Sequence, residues 1–247
     1  MQTSNSSSRL PRILWIAFLI WSAIGGVVML LGLRIDEIID AAAKPGLFCF
    51  LDTFDRHADA VWMFLAAASL FTILARDWGS RATWLHLAII GVVTGLIEWI
   101  GVKTGLPFGD YHYTDRYGFR LFGVLPLAIP FAWFVVVGGG LGVVQAFLPQ
   151  AGRWSQAGIV AILAVLTDLN LEPIAWKLRR YWEWYPGVAD PPALPPIQNY
   201  LSWGGIAFVL AMLCSLLPVA AQVRSQRPLL VLVVLNAVLL LGHVGMR

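Results

Sequence analysis

The sequence predicts an all-α fold, a polytopic integral membrane bundle of about seven transmembrane helices, or six to eight at ~20 residues per span. Three observations predict it. Hydrophobic residues make up 59% of the 247 and charged residues only 13%. The mean hydropathy of +0.74 lies outside the range of soluble domains. The apolar residues come in long unbroken runs rather than the alternation that a membrane β-barrel requires. A single transmembrane domain is expected over residues 1–247.

Residues 1–9 form a serine-rich polar start of the kind that stays disordered. The first span is expected over residues 13–33, too long for the apolar region of a signal peptide and without a small-residue cleavage site, so it is read as retained. Residues 34–59 read as a surface loop with a re-entrant piece, acidic at Asp36, Glu37, Asp40, Asp52, Asp55 and Asp59 around the apolar patch 47–51. Asp36, Glu37 and Asp40 share the acidity of a motif that holds diphosphate through magnesium. No second motif or basic clamp accompanies them, so a solvated face is the preferred reading.

The second span is expected over 60–75 and the third over 82–100, separated by a charged turn. The third carries His86, Thr94 and Glu98, with Gly91 and Gly95 in a small-residue row that admits a neighbouring helix. An intramembrane carboxyl is costly, so Glu98 is expected to point into the bundle; the alternative is that it reaches the interface from near the helix end. After it come Gly105, Pro107 and Gly109, and a polar aromatic cluster from Asp110 to Asp115. The glycines and proline are expected to let the chain fold back toward the bilayer and present Tyr111, His112 and Tyr113 to a cavity mouth.

A fourth span is expected over 124–148, where glycines 138–140 and Gly142 serve packing, since no strand precedes them and their spacing is not that of a dinucleotide fingerprint. The fifth, over 155–176, contains Asp168 and Glu172, one helical turn apart on one face and about 6 Å apart along the axis. Desolvation and mutual repulsion favour the neutral form of at least one of them. Pro173 removes a backbone donor and loosens the helix at Glu172. Residues 177–198 form a proline-rich strap. Its Tyr181, Trp182, Trp184 and Tyr185 suit either an anchor in the headgroup layer or a lid over a site. Spans six and seven are expected over 200–223 and 229–244.

Seven spans place the loops after the first, third and fifth on one side, so the acidic segment, the 105–123 stretch and the strap come together near Glu98, Asp168 and Glu172. A slight excess of Lys and Arg on that side favours a cytoplasmic site.

Several classes are disfavoured. The charge of +3 is not gathered into a basic run, so no nucleic-acid partner is expected. Cys49 and Cys214 stand far apart in apolar contexts and suggest no disulfide framework. His57, His86, His112 and His243 are isolated, against a metal oxygenase, and no metal is expected. No nucleophile elbow, phosphate loop or nucleotide motif is present, so no cofactor is expected. The remaining set of carboxyl, tyrosine, histidine and tryptophan suits protonation of an electron-rich alkene in an apolar cavity. Aromatic faces stabilise the cation, and water or an internal double bond captures it. The twelve tryptophans also suit an ordinary bilayer-anchored bundle.

The segment GLIEWIGVKTGLPFGDYHYTDRYGFRLFGVLPLAIPFAWF, with DLNLEPIAW and NYLSWGG, resembles the membrane family of carotenoid biosynthesis proteins. That family includes CruF-type carotenoid 1',2'-hydratases and bisanhydrobacterioruberin hydratases, and the resemblance runs over about residues 62–205. It implies addition of water across the terminal C=C of a linear (psi) carotenoid end group, giving a tertiary alcohol. The motif positions that carry over are Glu98, Gly105, Phe108, Gly109, Tyr111, Tyr113, Asp168, Glu172 and Pro173. It implies as partners a carotenoid from the bilayer, water, lipid and other carotenoid-pathway enzymes, in the cytoplasmic membrane of a prokaryote.

The expected catalytic set is Glu98, Asp110, His112, Tyr113, Asp168 and Glu172. Asp168 or Glu172 donates the proton, water is positioned by Asp110, His112 or Tyr113, and Glu98 or Asp110 takes the surplus proton. Trp99, Phe108, Tyr111, Trp133 and Trp203 are expected to bind substrate, and Gly105, Pro107, Gly109 and Pro173 to shape the backbone. A carotenoid cyclase shares the first protonation, a proton-coupled transporter or lipid carrier would use the same carboxyls as a relay, and a structural scaffold is the remaining reading.

Overall fold

The computed structural model describes residues 9–33, 38, 44–189 and 192–247. Seven helices within it are long and apolar enough to cross a membrane: α1 (Arg9–Leu30), α2 (Pro45–Trp78), α3 (Ser80–Thr104), α4 (Ala128–Phe147), α5 (Arg153–Leu178), α6 (Ile197–Cys214) and α7 (Arg227–Gly245). The polar start and Asp36, Glu37 and Asp40 lie outside the described residues, apart from Arg9, which opens α1.

Prolines begin α2 and α7, where a missing N–H leaves no helical bond unmade. A single residue, Gly79 at φ +85°, turns α2 into α3. The most enclosed helix is α4, whose Phe134, Val135 and Val137 are wholly buried. A Cβ on its Gly142 would stand 2.9 Å from Leu74 and 3.0 Å from Pro228, so this glycine lets α2 and α7 close on α4.

The main correction concerns residues 45–59, expected from sequence to be a loop. They are the first part of α2, which at 34 residues is about 51 Å long and overruns a hydrocarbon core of ~30 Å. The acids that lower local hydropathy there line one helix face. Asp55 and Asp59 each take Arg179 Nη2 at 2.7 Å, and Arg56 Nε bonds Asp52 at 2.7 Å. Arg56 also pairs with Asp115, and Arg116 stands 3.8 Å from both Asp52 and Asp55. A second correction shortens the sixth span, which ends at Cys214. Pro218 cannot continue it, and the chain folds back so that Ala220 N–H donates to the Trp78 carbonyl at 3.0 Å.

The loops after α3 and α5 are joined by a ladder that the hydropathy pattern does not announce. Strand β1 (Tyr111–Tyr113) is followed by β2 (Arg120–Leu121), β3 (Leu125–Pro126) and β4 (Trp182–Trp184). β1 and β4 pair antiparallel, with Tyr111 opposite Trp184 and Tyr113 opposite Trp182; β2 pairs with β3. The two loops therefore share one side, as expected from the count of spans between them. The other side carries Arg9, Arg12, Arg76, Arg81, Arg153, Arg224 and Arg227, with Asp77 as the acid among them.

Two helices widen into π turns, α4 over Phe134–Gly138 and α5 over Ile174–Leu178. The second begins directly after Pro173, whose missing N–H forfeits a helical bond, in line with the loosening expected there. The first begins directly after Trp133. Such turns gather at functional sites, and both of these adjoin residues of the cavity described below.

Gly109 fixes the loop after α3 against the strap. Its φ is +126°, and a Cβ there would lie 2.6 Å from Pro196 Cγ. Gly109→Ala is expected to cost on the order of 2 kcal/mol or more, read as a lowered Tm in detergent, while Gly158→Ala, inside α5 with open space around its Cβ position, does not lower Tm.

Candidate functional site

Glu98 lies in the last two turns of α3 and is 4% exposed. It points into the bundle, and three donors meet it. The hydroxyls of Tyr111 and Tyr113 each donate to Oε2 at 2.7 Å, and Trp133 Nε1 donates to Oε1 at 3.0 Å. Glu172 on α5 is equally enclosed and is also met by three. Trp184 Nε1 donates to Oε2 at 2.9 Å, Trp182 Nε1 to the same oxygen at 3.3 Å, and Asn199 Nδ2 to Oε1 at 3.0 Å.

The ladder explains why the donors come in pairs. Side chains alternate faces along a strand, so β1 turns Tyr111 and Tyr113 inward and His112 outward, and β4 turns Trp182 and Trp184 inward and Glu183 outward. One short antiparallel pairing thus delivers two phenols to one carboxyl and two indoles to the other. The outward residues face each other, with His112 Nε2 3.4 Å from Glu183 and both side chains about half exposed.

Asp168 stands one turn before Glu172, fully buried. The Asn199 amide spans the two carboxyls, donating to Asp168 Oδ2 at 2.8 Å as well as to Glu172, and Asp168 Oδ1 has no hydrogen-bond partner.

Glu98, Glu172 and Asn199 share the wall of a cavity of about 50 Å³, otherwise lined mainly by aromatic rings. Trp133 and Trp203 stack with centroids 4.2 Å apart, and Tyr117 and Tyr181 with centroids 4.3 Å apart. A water needs about 10–15 Å³ on this measure, so the cavity admits a few waters or the tip of a larger molecule, not a polyene. Among the described residues, no three His, Cys, Asp or Glu side chains converge where an ion could sit.

Of the residues expected from sequence, Glu98, Phe108, Tyr111, Tyr113, Trp133, Glu172 and Trp203 line this cavity, and Asp168 lies behind Glu172. Three stand elsewhere. Asp110 is exposed before β1, His112 is on the outer face of the ladder rather than at a cavity mouth, and Trp99 is 43% exposed on the outside of α3. Gly105 caps α3 at φ +74°, and the Pro107 carbonyl accepts from Ser202 Oγ at 2.7 Å and Gln198 Nε2 at 3.0 Å, tying the loop to α6.

Sequence reasoning missed Asn199, Tyr117 and Tyr181 as wall residues, and took Trp182 and Trp184 for anchors or a lid. Both tryptophans are buried, at 6% and 4% exposure, and form the wall itself. The available signal was the repeated pattern of an aromatic, a polar residue and an aromatic in YHY and WEW, a strand period in two segments otherwise read as loops.

Comparison with known proteins covers this region. A sequence model of the family described as carotenoid biosynthesis protein matches residues 58–246, which contain every cavity residue named above. The bisanhydrobacterioruberin hydratase of Haloarcula japonica is 28% identical over 192 residues, 75% of this chain and 60% of the relative. The chain thus spans 60% of that protein's length. No solved structure matches.

The phenols of the site carry a pH prediction. Burial, and then the Glu98 carboxyl, hold the hydroxyls of Tyr111 and Tyr113 well above the usual phenol range. Burial, and then Asp59, raise Tyr117 and Tyr181 likewise. The folded chain keeps protons that the unfolded chain releases above about pH 10, so this stabilisation is complete below that pH and is lost as pH rises through the elevated folded-state values. Absorbance titration in detergent is expected to show four of the six tyrosines failing to ionise until the protein unfolds.

Proposed function

The chain belongs to the carotenoid biosynthesis protein family, and from that premise we propose that it is a hydratase adding water across the terminal C=C of a linear carotenoid end group. The observation that carries this reading is the pair of buried carboxyls, Glu98 and Glu172, on the wall of one small aromatic cavity. The name of the Haloarcula japonica relative supports the same choice of reaction.

In the proposed reaction, the end group enters the cavity tip first from the bilayer, with the polyene outside. Glu172 transfers its proton to the less substituted alkene carbon, breaking the π bond and leaving a tertiary cation on the neighbouring carbon. Its proton is held in the Asp168–Glu172 pair, two carboxyls with one amide between them. The faces of Trp133, Trp203, Trp182 and Trp184 stabilise the cation. A water hydrogen-bonded to Tyr111 or Tyr113 forms the new C–O bond and gives its surplus proton to Glu98. One water is consumed, with no net oxidation or reduction. Proton return from Glu98 to Glu172 through water in the cavity that both line resets the site.

One feature favours capture by water: the phenols, which can hold a water, stand beside the carboxyl that would accept the proton. A cyclase would begin with the same protonation but leave product mass unchanged.

Expression in a host that accumulates lycopene or γ-carotene, grown with oxygen-labelled water, tests the proposal. The expected product is heavier by one labelled water. Glu98→Gln and Glu172→Gln are each expected to lower its formation at least about hundredfold, with Asp168→Asn also strongly impaired and membrane insertion retained. His112→Ala and Asp110→Asn should stay close to full activity. Full activity in all three carboxyl variants sinks the assignment, and an isomeric product of unchanged mass replaces hydration with cyclisation.

A further inference from the structure

The cavity has room for the tip of a substrate and not for the chain behind it, so the path of that chain depends on where the bundle opens to lipid. α4 sits at the centre, and α2, α3, α6, α5 and α7 stand around it in that order. Most neighbours in this ring are closed on one another. α2 and α3 are joined through Gly79 and by the rings of Phe71 and Trp84, with centroids 4.6 Å apart. Toward the cavity, Pro130 and Phe131 of α4 fill the space between them, against Gly91 of α3 and Phe64 of α2. α5 and α6 meet so closely that a Cβ on Gly204 would stand 3.0 Å from Val165. Asn170 of α5 donates to Asn236 Oδ1 of α7 at 3.1 Å, and α1 covers the join of α7 and α2.

The exception is the seam between α3 and α6, which is pinned at its two ends. On the cavity side Ser202 Oγ and Gln198 Nε2 donate to the Pro107 carbonyl, and toward the opposite face His86 meets the backbone of Cys214. Ser202 and Cys214 are twelve residues apart, about 18 Å along the axis. Between the pins the two helices make few close approaches. Ser202, Ile206, Val209 and Leu213 are spaced four, three and four residues apart, and so share the flank that Ser202 turns to α3. Yet Val209 is 54% exposed and Leu213 43%. The matching flank of α3 runs from His86 through Val93 and Ile97 to Gly101, and Val93 and Ile97 are half-buried. At its cavity end the seam meets Trp203 and Phe108, both of them cavity wall. The Phe108 ring lies 2.9 Å from where a Cβ on Gly101 would stand.

We propose, resting on the reading of the substrate as a linear carotenoid, that this seam holds its polyene chain, with the end group turned in past Phe108 and Trp203. A linear conjugated chain is a straight, stiff rod without hydrogen-bonding groups. The seam is a straight track that starts at the cavity and presents Val93, Ile97, Ile206, Val209 and Leu213 along its walls. An acyl chain of the bilayer matches those walls but has no end group to place in the cavity.

Val209→Trp and Leu213→Trp put a bulky ring into the seam at positions outside the packed core, and Leu240→Trp does the same on the lipid face of α7, away from the seam. Each is expressed in the host that accumulates lycopene or γ-carotene. Hydrated product is measured in the cells, and polyene retained by the full chain purified in detergent is measured by its visible absorbance. Val209→Trp and Leu213→Trp are each expected to lower both about tenfold or more with Tm unchanged, and Leu240→Trp to lower neither. Unaltered product and unaltered polyene in both seam variants overturn the groove and leave the reaction standing. Polyene retained by the original chain and lost from the seam variants, with no hydrated product from any of them, keeps the groove and overturns the reaction. Neither product nor polyene from the original chain overturns both. Equal losses in Leu240→Trp overturn the groove, as does retention of phospholipid alone in the seam.

Discussion

Three carboxyls inside an apolar bundle cost several kcal/mol each to desolvate unless donors meet them, and much of the irregular structure in this protein is what meets them. Helices cannot do so alone, because their backbone donors are already used. The chain leaves the helical pattern twice, after α3 and after α5, and the two departures pair as β1 and β4. Strand alternation then aims four aromatic donors inward at the two carboxyls. The cavity is a consequence of the same geometry, since large rings anchored by their polar edges cannot also fill the space between them.

That division explains what could be read from the residues and what could not. The seven spans follow from local hydropathy, and Glu98, Asp168 and Glu172 stand out because a carboxyl in such a span is too costly to be retained without a role. Tyr111 and Tyr113 could be named because they sit near Glu98 in the chain. Trp182 and Trp184 could not be paired with them, because β1 and β4 are three residues each and about 70 apart, too short and too distant for periodicity to connect them. Asn199 opens the NYLSWGG segment that carries the resemblance, but nothing local in that segment names a role for it. A single amide at the start of a helix becomes informative only once it is seen to span two carboxyls. The acids at 52–59 misled for the opposite reason. Their density suggested a loop, whereas their partners Arg116 and Arg179 come from distant segments and turn the stretch into the charged end of a long helix.

The same ion pairs alter how the arginines bear on topology. On the cavity side Arg56, Arg116 and Arg179 are committed to aspartates of α2 and of the loop after α3, so they serve to lock the loops after α3 and α5 onto that helix. On the opposite side seven arginines share the surface with Asp77. The two faces therefore present different chemistry to the headgroup layers. One is built of internal pairs around a cavity, and the other is a cationic rim.

The donors on the two cavity carboxyls are not equivalent, and the difference bears on their roles in the proposed reaction. A phenol hydroxyl donates and accepts, so Tyr111 and Tyr113 can pass a proton between a bound water and Glu98. An indole N–H only donates, so Trp182 and Trp184 fix Glu172 without exchanging protons with it. Asn199 likewise offers both carboxyls an N–H and no acceptor. Glu172 is thereby insulated from proton exchange on three sides, with Asp168 as the neighbouring carboxyl one turn away. Those N–H donors stabilise the carboxylate left on Glu172 once its proton has gone to the alkene, whereas the phenols around Glu98 can pass a proton onward from water. On hydrogen-bonding capacity alone, the arrangement favours Glu172 as the donor and Glu98 on the water side.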